Sequence, residues 1–122
     1  MKFLKFLKRS LSKNSGKAIK KHFVLPADKK DETHLCVQVI VHGIVQDVYF
    51  RSDTKNEAIR IGVCGWVKNL PNGTVQALFE GEKEKVVEII EWCHRGTKWA
   101  RVDNVDISWE PYNGEFKHFD QV

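Results

Sequence analysis

VHGIVQDVYFR, residues 41–51, is the stretch on which the reading of this chain turns. It follows an apolar, strand-like run, LCVQVIV at residues 35–41, and leads into a segment with Phe50, Thr54, Ala58 and Ile61 on one face at helical spacing. A strand that bends through a short loop into a helix leaves backbone N–H groups unpaired in the bend, and such groups form a cradle for an anion. After Gly43, the amides of Ile44, Val45, Gln46, Asp47, Val48 and Tyr49 would line that cradle. Arg51, in the first helical turn, adds a planar cationic fork that matches phosphate oxygens two at a time. Local chemistry thus points to an oxyanion site. The same residues also fit a junction that binds nothing, with Arg51 a solvated residue at a helix start.

Outward from this stretch, the pattern alternates between periods of two and of 3.6 residues. Residues 35–41 alternate as a strand, residues 50–61 read as a helix, and Gly62 is a natural terminator. Residues 65–69 and 74–80 read as two strands joined through Leu70, Pro71, Asn72 and Gly73, where Asn-Gly supplies the positive φ of a tight hairpin. A second helix spans residues 82–95, with Val86, Ile89, Ile90 and Cys93 on its apolar side. Strands follow at residues 105–109 and, after Tyr112, Asn113 and Gly114, at residues 116–120. The order βαββαβ plus a short terminal strand predicts a ferredoxin-like α+β sandwich, with two helices on one face of an antiparallel sheet.

Two segments resemble the acylphosphatase family. That family's loop reads GxVQGVxFR, and Gly43, Val45, Gln46, Val48, Phe50 and Arg51 stand in register with it. EAIRIGVCGWVKN, residues 57–69, resembles the second signature AxxxGxxGWVxN through Ala58, Gly62, Gly65, Trp66, Val67 and Asn69. The resemblance runs from about Leu35 to the last residue. It implies the ferredoxin-like fold and a hydrolase that cleaves small acyl phosphates to carboxylate and inorganic phosphate. It also implies that Arg51 binds substrate and Asn69 orients water.

An acyl phosphate has a carboxylate leaving group that departs without a proton. The enzyme must hold the phosphoryl oxygens, neutralise their charge and aim a water in line. Neither metal nor cofactor is expected. The Asn69 carboxamide can accept a hydrogen from water while donating to a substrate oxygen; from local sequence alone it also fits a turn residue of the KNLPNG hairpin. His42 is expected on the exposed face of its strand, Trp66 in packing and Lys68 in solvent.

One departure falls in the loop, where Asp47 replaces the family's second glycine. A carboxylate about 5 Å from a phosphoryl charge would repel it by roughly 3 kcal/mol at an effective dielectric of about 20, on the order of a hundredfold in rate or affinity. A left-handed conformation there would add ~1–2 kcal/mol for a residue other than glycine, although aspartate tolerates it well.

The net charge of +4 is unevenly spread. Residues 1–34 hold ten Lys or Arg against Asp28, Asp31 and Glu32, whereas residues 35–122 hold ten against thirteen acids. Residues 1–34 are therefore read as a basic, flexible arm and linker, and residues 35–122 as the domain. In the arm, Phe3, Leu4, Leu7 and Leu11 fall at helical spacing among lysines, a pattern suited to an anionic membrane or nucleic acid. A non-catalytic binding module, its loop disabled by Asp47 and its arm holding such a partner, is the alternative function. No apolar run approaches the ~20 residues of a membrane span. Cys36, Cys64 and Cys93 form no CxxC pair, which argues against a disulfide framework or a zinc site and for a reducing cytoplasm. A monomer is expected.

Overall fold

The computed structural model describes residues 23–122. In its first strand, β1 (His34–Ile44), Val37, Val39 and Val41 expose no surface, while the intervening Gln38, Ile40 and His42 are less buried. The period of two places the valines under the helices and the other set on the opposite face. Helix α1 (Phe50–Ile61) buries Phe50, Thr54, Ala58 and Ile61, as the spacing predicts, and ends at Gly62, whose N–H donates to the Ala58 carbonyl at 2.8 Å. Strands β2 (Cys64–Asn69) and β3 (Val75–Glu82) pair antiparallel. Helix α2 (Lys83–Arg95) buries Val86, Val87, Ile89, Ile90, Trp92 and Cys93, and β4 (Arg101–Glu110) and β5 (Phe119–Gln121) complete the chain.

The sheet order is β4-β1-β3-β2-β5. Helix α1 packs on β2 and β5 and α2 on β1, β3 and β4, so both helices cover one face of the ferredoxin-like sandwich. The expected antiparallel sheet needs one correction. β5 is parallel to β2, with Gly65 opposite Phe119 and Val67 opposite Gln121, and the sheet is mixed. The cause is topological. Glu110 ends β4 in the cross-strand row that also holds Cys36, Glu80 and Cys64, so the chain crosses the sheet along that row and then runs up the edge beside β2 in the same direction.

Phe23 and Leu25, which fall in the stretch read as arm and linker, are buried in the core cluster. Phe23 lies against Trp109 and His94, with ring centroids 6.4 and 6.3 Å away. The predicted amphipathic segment at residues 3–11 lies outside the described residues. Among those described, no helix is long and apolar enough to cross a membrane.

Candidate active site

Just before the loop between β1 and α1, the β1/β4 register shifts between His42 and Gly43. Gly43 has φ 133°, and a Cβ there would stand 2.0 Å from the Arg101 carbonyl oxygen, so only glycine fits this crossing. Beyond it, Val45 and Phe50 are each 1% exposed and pin the two ends of the loop. Phe50 packs against Trp92 at 5.2 Å, and a Cβ on Gly96 would reach within 2.9 Å of its ring.

Two side chains hold the loop from outside. Gln46 Nε2 donates to the carbonyls of Leu70 (2.7 Å) and Thr74 (2.8 Å) in the β2–β3 hairpin, and Thr97 Oγ1 donates to the Val48 carbonyl (2.9 Å). Between these ties the backbone is left-handed at Asp47 (φ 63°) and at Tyr49 (φ 66°). Both side chains are exposed. The first helical bond is Asp53 N–H to the Tyr49 carbonyl, and no side chain caps α1. Among the described residues no carbonyl accepts from the backbone N–H groups of Gln46, Asp47, Val48 or Tyr49. These four N–H groups lie next to the N-terminal, partly positive end of a helix, whereas Ile44 is the last residue of β1 and pairs with Arg101 of β4.

Arg51 lies in the first turn of α1, where its Nη1 donates to the Val122 carbonyl at 3.0 Å. Val122 in turn donates its N–H to the Val67 carbonyl at 2.8 Å. Arg51 is thus linked through Val122 to Val67 of β2, two residues before Asn69, and among the described residues this bond uses only one of the guanidinium's five donors. Asn69 ends β2 on the helix-covered side that it shares with the fully buried Val67. Its Oδ1 is buried and, among the described residues, has no hydrogen-bond partner. A buried acceptor left without a donor carries a desolvation penalty of about 1–3 kcal/mol, which a bound water or ligand would remove.

The fold thus gathers the loop, Arg51 and Asn69 at one end of the sheet: Gln46 ties the loop to the residue after Asn69, and Val122 ties Arg51 to β2. Other residues fall elsewhere. His42 Nε2 lies 2.8 Å from Asp106 Oδ2 on the uncovered face. Lys68 Nζ sits 5.2 Å from the centre of the Trp66 ring, on the same uncovered side. Among the described residues no group of three His, Cys, Asp or Glu side chains is placed to hold a metal ion. Sequence reasoning missed the parts played by the Gln46 side chain, Thr97 and Val122. Gln46 was legible only as a signature residue, and no local pattern marks the other two.

Residues 37–121 match the sequence model of the Acylphosphatase family. The chain is 52% identical over 82 residues to an acylphosphatase of Geobacter sulfurreducens, covering 67% of this chain and 90% of that one. It is 47% identical over 81 residues to an acylphosphatase of Pelotomaculum thermopropionicum, covering 66% and 88%. Its fold is similar to the crystal structure of acylphosphatase from Bacillus subtilis, with a TM-score of 0.70 and 30% identity over 72% of this chain and 98% of that one. The structure of an acylphosphatase from Coxiella burnetii is equally similar, with a TM-score of 0.70 and 31% identity over 77% and 98%. With both signatures on one end of a ferredoxin-like sheet and relatives matched over most of their length, the chain belongs to the acylphosphatase family, enzymes that hydrolyse acyl phosphates.

Proposed function

We propose that this chain hydrolyses small acyl phosphates with Arg51 and the loop amides holding the phosphoryl group and Asn69 orienting the attacking water. The observation that carries the reading is the buried, partnerless Oδ1 of Asn69 beside a loop whose amides face no acceptor. The amides of residues 44–49 and the guanidinium of Arg51 neutralise the charge on the phosphoryl oxygens as it redistributes in the transition state. Asn69 Oδ1 accepts one hydrogen of a water and Nδ2 donates to a phosphoryl oxygen, which fixes both reactants in one line. The water oxygen bonds to phosphorus, the bond from phosphorus to the carboxyl oxygen breaks, and the carboxylate leaves with the bonding pair. Inorganic phosphate is the other product.

The tie from Arg51 to Val122 holds the fork in one orientation before substrate arrives. Such preorganisation avoids the entropy of ordering a long side chain during the reaction. Asp47 is compatible with this reading because its side chain is exposed while its N–H remains in the loop. The unpaired thiols of Cys36, Cys64 and Cys93 fit a reducing cytoplasm.

The test is steady-state hydrolysis of benzoyl phosphate by the parent chain and by Arg51→Ala and Asn69→Ala, with inorganic phosphate as competitor. A kcat/KM lowered by on the order of 10²–10³ in both variants and competitive inhibition by phosphate are the expected results. Full activity in Arg51→Ala refutes the assignment.

A further inference from the structure

We infer that Glu80, on the face of the sheet opposite the helices, is a positioning residue for Arg51. The inference rests on Arg51 being the group that binds the phosphoryl oxygens. Glu80 is only 3% exposed, although a carboxylate is among the side chains least often buried. The register sets it between Cys36 of β1 and Cys64 of β2, and neither neighbour is a cation. Its Oε1 accepts the backbone N–H of Phe116 at 2.7 Å. A buried carboxylate needs donors, and this one takes a donor from the backbone of the segment that crosses the sheet between β4 and β5.

That anchor lies directly upstream of the strand that carries the Arg51 tie. Two residues after Phe116, the His118 carbonyl accepts from Gly65 N–H at 2.9 Å, and Phe119, 4% exposed, stacks on Phe79 at 5.6 Å. Among the described residues β5 then pairs with one neighbour, β2, over Phe119–Gln121, and Val122 presents its carbonyl to Arg51. An edge strand this short has few ladder bonds of its own and depends on what fixes its ends. Glu80 fixes the upstream end through the sheet. Loosening it lets β5 slide or fray, and the Val122 carbonyl no longer sets the direction of the guanidinium.

The test compares the parent chain with Glu80→Ala, Glu80→Gln and Phe116→Pro, which removes the donor but leaves Glu80 in place. Two quantities are read: the inhibition constant of inorganic phosphate, and the exchange rate of the Val122 amide by NMR. Far-UV circular dichroism establishes that each variant is folded. Glu80→Ala and Phe116→Pro are expected to weaken phosphate about five- to tenfold and to speed Val122 exchange by a similar factor. Glu80→Gln, whose amide oxygen still accepts from Phe116, is expected to stay within about twofold of the parent. A folded Glu80→Ala chain that binds phosphate as the parent does overturns the inference, as does a Glu80→Gln chain impaired as badly as Glu80→Ala. A parent chain that does not bind phosphate overturns the assignment of Arg51 instead, and Val122 exchange then still decides whether Glu80 holds β5.

Discussion

Two turns lie side by side at one end of the sheet, the β2–β3 hairpin and the loop from β1 to α1, and they solve the same backbone problem in opposite ways. The hairpin satisfies itself. Leu70 N–H donates to the Thr74 carbonyl and Gly73 N–H to the Leu70 carbonyl, while Asn72 Oδ1 accepts from both the amide and the hydroxyl of Thr74. Its one left-handed position is a glycine, at Gly73. The loop has two left-handed residues that are not glycine, Asp47 and Tyr49, and its amides have no internal acceptors. It is held by Gln46, Thr97, Val45 and Phe50. The hairpin uses the N–H groups of Leu70, Gly73 and Thr74 within itself and offers carbonyls to Gln46. The loop is fastened by contacts with the rest of the fold, which leaves its amides available in the way the proposed phosphate site requires, and its strained dihedrals persist because the surroundings over-determine them.

The largest effects should come from the two side chains of the proposed site, Arg51 just after the loop and Asn69 just before the hairpin. Arg51→Ala and Asn69→Ala should each lower kcat/KM by on the order of 10²–10³, whereas both proteins should unfold within about 1 kcal/mol of the parent in urea. Next comes the fastening between the two turns. Gln46→Ala removes two hydrogen bonds, which should reduce stability by about 1–2 kcal/mol and raise KM for benzoyl phosphate. The hairpin carbonyls keep their own backbone donors, so the damage should be felt in the loop. If Gln46→Ala melts earlier but retains its KM, the loop does not need the clamp.

Smaller effects separate the two kinds of left-handed residue. Asp47→Gly relieves ~1–2 kcal/mol of strain against about 0.5–1 kcal/mol of added chain freedom, so its stability should rise by up to about 1.5 kcal/mol. Phosphate should also bind more tightly, because a carboxylate leaves the rim of the cradle. Gly73→Ala meets open space but keeps φ 93°, and should lose about 1 kcal/mol of stability with activity unchanged. Thermal melts and phosphate inhibition constants measured together distinguish these cases.

The smallest effect near neutrality concerns the thiols. Burial, then the nearby Glu80, Glu110 and Glu115, push the Cys36 thiol up to about 11, and burial alone pushes the Cys93 thiol upward. A pKa raised on folding favours the protonated form. Its contribution is complete below the ordinary thiol pKa and is lost as pH rises toward 11. Urea midpoints should be flat from pH 6 to about 8 with respect to these groups and fall above about 9. Iodoacetamide should leave Cys93 unmodified in the native chain.

Much of the fold was legible because it follows from short periods. The spacing of Phe50, Thr54, Ala58 and Ile61 predicted α1 over the bounds it has, and the Asn-Gly pair marked the hairpin. Both signatures picked out Arg51 and Asn69, and the left-handed φ at Asp47 is the conformation that the family's glycine implies. Other features depend on contacts between distant parts of the chain. β4 runs from Arg101 to Glu110, well beyond the alternating residues 105–109, because β1 is long enough to pair with it throughout. Phe23 and Leu25 are part of the core, with Phe23 lying against Trp109 of β4 and His94 near the end of α2, far from it in sequence.

The amino-acid sequence by itself determined the element order and the family, and it singled out Arg51 and Asn69 as the residues of the proposed site, since periodicity, turn chemistry and short motifs are properties of neighbouring residues. Only the tertiary structure decided that β5 lies parallel to β2 and that Arg51 meets Val122, 71 residues away. It also decided that the Asn69 acceptor is buried without a partner. Those facts depend on which strand edge remains open after the others have paired. That is set by long-range packing and by the closure of chain loops, which no local pattern encodes.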